Sequence, residues 1–317
     1  MEHEWRDMKK FLGDRFACGL STVEEAPEPL RSAMSAVLHG GQPLQLLLFG
    51  PVAKTLGQCS PATLLAVLDD EWVLVSGAEE TPARLERAAF VDTLLVELTL
   101  ILLYGRLKLD YATEGVTQSA IIEFDAVMEP LYKEAARQVL DGMSGIRGTI
   151  SIEDRSLNGV LQGTPLRFWN AVHEFSPLSQ RVLATRHWPA VTGGARRWYE
   201  REVAPQGMLV LTERELILIS DEKTWSWLRV GRANKYGSVI TYCPLSRLED
   251  YRVRADDQLA QLELEIRAAG GGETVRVEFP PVQQRSIRDL MEQAMAQRLA
   301  TSIEEKASTQ NRSHWLR

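Results

Sequence analysis

Cysteine and histidine are scarce in this chain, and their spacing excludes several kinds of chemistry. Three cysteines, Cys18, Cys59 and Cys243, lie far apart and form no CxxC pair. An odd, scattered set of thiols fits a reducing compartment without structural disulfides. The five histidines, His3, His39, His173, His187 and His314, each stand more than four residues from another His or Cys. No local metal-ligand pair follows from that spacing. The HExxH, GxSxG, P-loop and GxGxxG patterns are also missing. The most apolar run, Leu94 to Tyr104, is interrupted by Glu97 and falls far short of the ~20 residues that a spanning helix needs. The first ten residues are charged, unlike a signal peptide. These absences predict a soluble cytoplasmic protein with no cofactor, no metal, no transmembrane segment and no catalytic activity.

What is present is size and an uneven charge. The 317 residues are 44% hydrophobic, which suits two domains of about 100–150 residues each. Residues 1–145 hold 12 Lys+Arg against 22 Asp+Glu, a balance of −10, while residues 146–317 hold 24 against 21, a balance of +3. An acidic half and a mildly basic half favour each other or a charged partner. Nucleic acid is not expected, because its footprint needs a broad basic surface.

The sequence repeats itself. Met208 to Ser220, MLVLTERELILIS, matches Leu64 to Ser76, LLAVLDDEWVLVS, without a gap at an offset of 144. Ala260 to Phe279 matches Gly105 to Phe124 at an offset of 155. One net insertion of 11 residues therefore separates the copies, and it falls in Thr224 to Lys235. This is the signature of a duplicated domain.

Periodicity and turn chemistry then divide the chain. Residues 1–28 read as a helix, Trp5 to Phe16, and a linker. Residues 29–141 form the first domain. It opens with a helix at Glu28 to Leu38 and a strand at Leu44 to Phe49, and a long loop spans Gly50 to Ser60. Strands follow at Leu64 to Leu68, Trp72 to Ser76, within Phe90 to Leu103, at Arg106 to Tyr111 and at Ala120 to Phe124, and a helix closes the domain at Ala126 to Leu140. Residues 142–176 are a linker with a helix that Thr164 caps and Pro165 begins. Ser176-Pro177 repeats that device and predicts a second short helix to Thr185. Residues 177–300 form the second domain, with His187 to Thr192 in the place of the first strand, Gly193 to Gln206 as the loop and a closing helix from about Gln283. Residues 301–317 are a tail, disordered from Ser308.

Seven short strands followed by one helix argue for a small barrel or sandwich. The hairpin MLVLTERELILIS, the segment YCPLSRLEDYRV at 242–253, the LELEI and VRVEF strands and the final helix resemble the pleckstrin-homology (PH) superfold, and in particular bacterial PH-like domains. The resemblance implies an α+β chain of two partly open β-barrels, each closed by a C-terminal helix, with extra helices before each repeat. It also implies that the loop between the first two strands holds anionic headgroups. Neither closing helix carries the Trp found there in eukaryotic PH domains.

Two stretches are candidate sites. In the loop 193–206, Arg196, Arg197 and Arg201 suit bidentate phosphate contacts, with Trp198 and Tyr199 as interfacial rings. Glu200 and Glu202 lower the local charge, and a solvated loop with Trp198 packed inward is the competing reading. In the insertion, alternation puts Trp225, Trp227 and Arg229 on one strand face, the composition of an interface anchor. The competing reading covers that face with the repeat's own flanking helix. The hairpins are apolar on both faces, so something must cover the outer one: a preceding helix, the other repeat or a second chain. The first functional expectation is a protein–protein or self-association module. The alternatives are peripheral binding of an anionic lipid or phosphate ligand through 193–206, which would make the protein membrane-peripheral, and an enzyme with its site at the domain junction.

Overall fold

The computed structural model describes residues 16–38, 42–55, 58–77, 82–145, 157, 159–177, 179–193, 201–221 and 237–315. The chain is mostly β, with four helices among the described residues and several antiparallel sheets, none closed into a barrel. It divides into two compact units, Met1–Arg147 with Ala268–Gly271, and Gly148–Arg267 with Gly272–Arg317.

The first unit begins with β1 (Cys18–Gly19) and α1 (Leu30–Val37), then β2 (Leu46–Gly50), β3 (Ala53–Thr55), β4 (Gln58–Ser60), β5 (Ala62–Val67), β6 (Glu71–Gly77) and β7 (Arg84–Ala89). The sheet order is β1-β2-β5-β6-β7, and β3 and β4 form their own small hairpin. A 3-10 turn at Phe90–Asp92 leads to β8 (Thr93–Ile101), β9 (Tyr104–Thr113) and β10 (Val116–Asp125), which pair in that order. The β9–β10 turn carries positive φ at both central residues, Glu114 at 51° and Gly115 at 83°, as a two-residue hairpin with right-handed twist requires. A second 3-10 turn, Ala126–Met128, precedes α2 (Glu129–Ser144). That helix ends where Gly145, at φ 66°, donates its N–H to the carbonyls of Asp141 and Gly142.

The apolar character of both hairpin faces now has its reason. Leu64, Ala66, Val73 and Val75 pack with Leu47 and Phe49 against Leu30 and Met34 of α1. The alternate residues Leu65, Val67, Trp72 and Leu74 are also buried. Trp72 donates its indole N–H to Thr93 Oγ1 at 3.0 Å and meets Tyr111 edge-on at 5.1 Å. Farther along, the Phe124 and Tyr132 rings stack at 3.8 Å. Burial of each such side chain is worth about 1.5–3 kcal/mol. Of the three possible covers for the first hairpin, the preceding helix is the one found.

The second unit repeats the plan. α3 (Leu166–Phe175) precedes β11 (Val182–Trp188), a small hairpin of β12 (Val191–Gly193) and β13 (Arg201–Ala204), then β14 (Gly207–Thr212), β15 (Glu215–Ser220) and β16 (Gly237–Pro244). Strands β11, β14, β15 and β16 pair consecutively. A 3-10 turn at Leu245–Arg247 leads to β17 (Leu248–Ala255), β18 (Ala260–Ala268) and β19 (Gly271–Phe279), neighbours in that order, and a 3-10 turn at Pro281–Gln283 precedes α4 (Gln284–Trp315).

The registers recur residue for residue. Leu64 faces Val75 in the first unit, and Met208 faces Ile219 in the second. Glu71 faces Ala89, and Glu215 faces Pro244. Val96 faces Leu109, and Tyr251 faces Leu264. Even the register shift between Thr93 and Leu95 returns between Leu248 and Asp250, which is how a conserved bulge behaves. Ile287, Leu290, Met291 and Ala294 of α4 are buried, and Trp188 lies 6.0 Å from Phe279.

Several expected elements differ. The segment Gly50 to Ser60 is not a plain loop, because β3 and β4 pair within it, and the counterpart loop likewise pairs Val191 to Gly193 with Arg201 to Ala204. Ser176-Pro177 starts no helix: Ser176 is the extended residue ending α3, and Val182 to Trp188 pairs with β14 instead. Cross-strand pairing of Val182, Thr185 and Trp188 outweighs the local capping pattern. Pro165 sits just before α3 with ψ 141°, and no side chain caps the helix there. The span 90–103 is a 3-10 turn, one long strand to Ile101 and a turn at Leu102–Leu103. The first closing helix starts at Glu129, after the 3-10 turn at 126–128. The last helix keeps its backbone to Trp315 where a disordered tail was expected. The predicted helix at 5–16 lies outside the described residues except for its final position.

Candidate functional site

The two sequence-derived sites fall largely outside the described residues. Arg196, Arg197, Trp198 and Tyr199 lie outside them, as do Trp225, Trp227 and Arg229. Of the loop candidates, only the backbone of Arg201 is placed, at the start of β13 opposite Gly193. What the structure gives is the frame from which these segments leave the sheet.

That frame includes a groove of about 450 Å³ in the second unit. Leu166, Arg167, Asn170 and Glu174 of α3 line it, together with Ile219 of β15 and Ser238 of β16. The helix is amphipathic: Phe168, Ala171, Val172 and Phe175 are buried, whereas Leu166 at the rim is 73% exposed. Tyr242 donates its hydroxyl to the carbonyl of Phe175 at 3.0 Å and fixes the end of the helix on the sheet.

Arg167 is the polar centre of the groove. Its Nη2 donates to the carbonyl of Gly237 at 2.9 Å and to Ser238 Oγ at 3.4 Å. It also pairs with Asp221, whose other oxygen accepts from Gln206 Nε2 at 2.7 Å. One guanidinium thus ties Asp221, the residue after β15, to Gly237, the first residue of β16. These are the two ends of the stretch that carries Trp225 and Trp227. Planar donors in a fixed fork make arginine suited to holding a carboxylate and a carbonyl at once. Sequence reasoning missed this centre. Its only signal was the helical period at 166–175, because Arg167, Asp221 and Ser238 share no local pattern.

A second polar cluster lies at the β14–β15 turn. Thr212 Oγ1 donates to Gln180 Oε1 at 2.6 Å, Gln180 Nε2 donates to Glu215 Oε1 at 3.1 Å, and the Glu215 N–H donates to Thr212 Oγ1 at 3.0 Å. All three residues are buried. Burial and the nearby Glu215 push the Cys243 thiol well above its ordinary range. A thiol held protonated is a poor nucleophile, so this pairing reads as structural. The equivalent carboxylate in the first unit, Glu71, instead takes a bidentate bond from Arg87 at 2.8 to 3.0 Å.

Among the described residues no group of three or more His, Cys, Asp or Glu side chains is placed to hold a metal ion. No described helix is long and apolar enough to cross a membrane. Comparison with family models, curated proteins and solved structures returns no match.

Proposed function

We propose that the chain is a non-catalytic tandem of two PH-like domains, produced by duplication, that acts in the cytoplasm through protein–protein contact, self-association included. The observation that carries this reading is the recurrence of the same registers in both units. Each unit has four principal strands, then three strands, then a helix, and that layout supports the PH-like assignment. Such small modules present surfaces more often than they perform chemistry, an argument by fold analogy. The groove beside α3 supports contact as the activity. The described residues on either side of the stretch that holds the 11-residue excess, Asp221 and Gly237, are both tied to Arg167 of that groove, and the sequence of the excess has the aromatic and arginine composition of binding hot spots.

Native mass spectrometry of the full chain, taken gently from its own cells, tests the proposal. The expected particle exceeds the 35.6 kDa of one chain by the mass of further protein, and Trp225→Ala with Trp227→Ala reduces it. A particle of one chain alone, or of one chain with only lipid or a small phosphate compound, overturns the protein-contact reading. The lipid-bearing form would favour the Arg196 and Arg197 loop.

A further inference from the structure

The two units differ at one turn. In the first unit, β8 and β9 are joined through Leu102 and Leu103; the equivalent positions of the second unit, 155 residues later, are Asp257 and Gln258. The second turn is polar and internally bonded. Asp256 Oδ1 accepts from the N–H groups of Gln258 and Leu259, each at 2.8 Å, and the Asp256 N–H donates to the Leu259 carbonyl at 2.9 Å. The first turn presents two leucines to water, Leu102 at 66% and Leu103 at 71% exposure. Leu102 also has φ 53°, a left-handed conformation that a bulky side chain enters only against steric resistance.

The neighbours extend the patch and give it a charge. The Ala126 N–H donates to the Leu103 carbonyl at 2.9 Å, and the next residue, Val127, is 63% exposed. Asp125 is exposed, faces Tyr104 across the ladder and accepts from the Val127 N–H at 3.0 Å. Glu123 accepts from the Tyr104 hydroxyl at 2.9 Å, and Glu129 pairs with Lys133 at 3.2 Å. At this end of the hairpin Glu97, Glu123, Asp125 and Glu129 stand against Arg106, which faces Glu123 and pairs with Glu97, and Lys133, in the half of the chain that carries −10. An anionic lipid surface would be repelled by that rim, whereas a basic segment with an apolar face is complementary to it.

We propose that the Leu102–Leu103 turn, with Val127 and the acidic rim at Asp125, is a docking surface for a basic amphipathic segment of a partner protein. The inference rests on the reading of the chain as an interaction module and adds the place and the chemistry of one contact. The leucines take the apolar face of the segment, and Lys or Arg groups of the partner meet the carboxylates.

The test uses the full chain and the variant Leu102→Asp with Leu103→Gln, which places the residues of positions 257 and 258 at the equivalent positions of the first unit. Both substituted side chains are exposed, and Asp enters the left-handed region of Leu102 more readily than Leu, so the variant keeps its thermal melt. The probe is a labelled helical Leu/Lys peptide of about 18 residues with leucines on one face. An isomorphous Leu/Glu peptide and vesicles of zwitterionic or anionic lipid are the controls. Binding of the Leu/Lys peptide to the wild type is expected to weaken at least about tenfold in the variant, and to weaken as salt rises from about 50 to about 500 mM. The variant is more acidic than the wild type, so pure charge attraction predicts tighter binding; only loss of apolar contact predicts the decrease. No binding by the wild type, undiminished binding by the variant, or turn-dependent binding of the Leu/Glu peptide or of vesicles overturns the inference. If the variant binds undiminished while the Trp225 and Trp227 substitutions disperse the native particle, this surface is wrong and the interaction reading stands. A native particle of one chain alone removes that reading itself.

Discussion

Phe90 and Leu245 make the same backbone hydrogen bond, each within its own unit: the Phe90 N–H donates to the Asp70 carbonyl at 2.9 Å, and the Leu245 N–H to the Arg214 carbonyl at 2.7 Å. The acceptors are 144 positions apart and the donors 155. The 11-residue excess lies between them in sequence and leaves the bond unchanged. Excision of 11 residues from within 222–236 should therefore preserve a cooperative melt of the full chain, with a stability change within about 1 kcal/mol, and should diminish assembly. A loss of about 3–5 kcal/mol per tryptophan in chemical denaturation would instead make Trp225 and Trp227 core residues.

Gly105→Ala tests close packing in the first unit. A Cβ at this position would stand 2.1 Å from the Phe124 ring, which is itself stacked on Tyr132. The substitution should cost about 1–3 kcal/mol by overpacking, read from urea denaturation. Adding Phe124→Leu should return part of that loss. Equal stability of Gly105→Ala and wild type would show that the stack is free to move.

Thr212→Val keeps the shape and removes the hydroxyl shared by Gln180 and Glu215. Buried partners left without it should lower stability by about 1–3 kcal/mol, and Thr212→Ser should restore most of it. An unchanged midpoint in the valine variant would remove the turn cluster from the list of stabilising features.

Glu86 provides a pH test. Its side chain is 8% exposed, and burial raises its carboxyl above the ordinary range, with Arg84 opposing. A raised carboxyl value means that the folded state prefers the proton, so the stabilising contribution is present at low pH and is lost as pH rises through the folded value. Glu86→Gln mimics the protonated form. It should melt higher than wild type at pH 7, and the gap should close below about pH 4. A gap that widens on acidification would reverse the assignment.

On the last helix, Leu290 is 1% and Leu299 63% exposed. Leu290→Ala should cost about 2–5 kcal/mol and Leu299→Ala less than about 0.5 kcal/mol. Similar losses from both, measured by thermal denaturation, would mean that the outer face of α4 is covered.

The charged turns at Asp69-Asp70 and Glu213-Arg214 and the ungapped match of Leu64 with Met208 made the two hairpins legible. Their strands are apolar on both faces, so alternation did not mark a register, which such strands take from the turn. Short-range chemistry misled at Ser176-Pro177, where helix-start and turn preferences coincide, and at β3 and β4, whose three-residue strands are too short to show alternation. The groove could not be read at all. Arg167, Asp221 and Ser238 meet only after the sheet forms. The Leu102–Leu103 turn was hidden for the opposite reason: it contains no turn residue and sits inside an apolar run that reads as continuous strand.

Matching registers also bear on the birth of the molecule at the ribosome. Strand β5 could accept β15 almost as well as β6, since both partners offer the same spacing and nearly the same apolar faces. Misassembly between like elements is a characteristic hazard of repeated architectures, and N-terminal domains generally fold first during synthesis. The first unit's own hairpin, from Ala62 to Gly77, is complete long before Glu215 leaves the exit tunnel. If order of emergence rather than sequence difference keeps the two hairpins apart, refolding from denaturant should yield more cross-paired, aggregation-prone material than synthesis does.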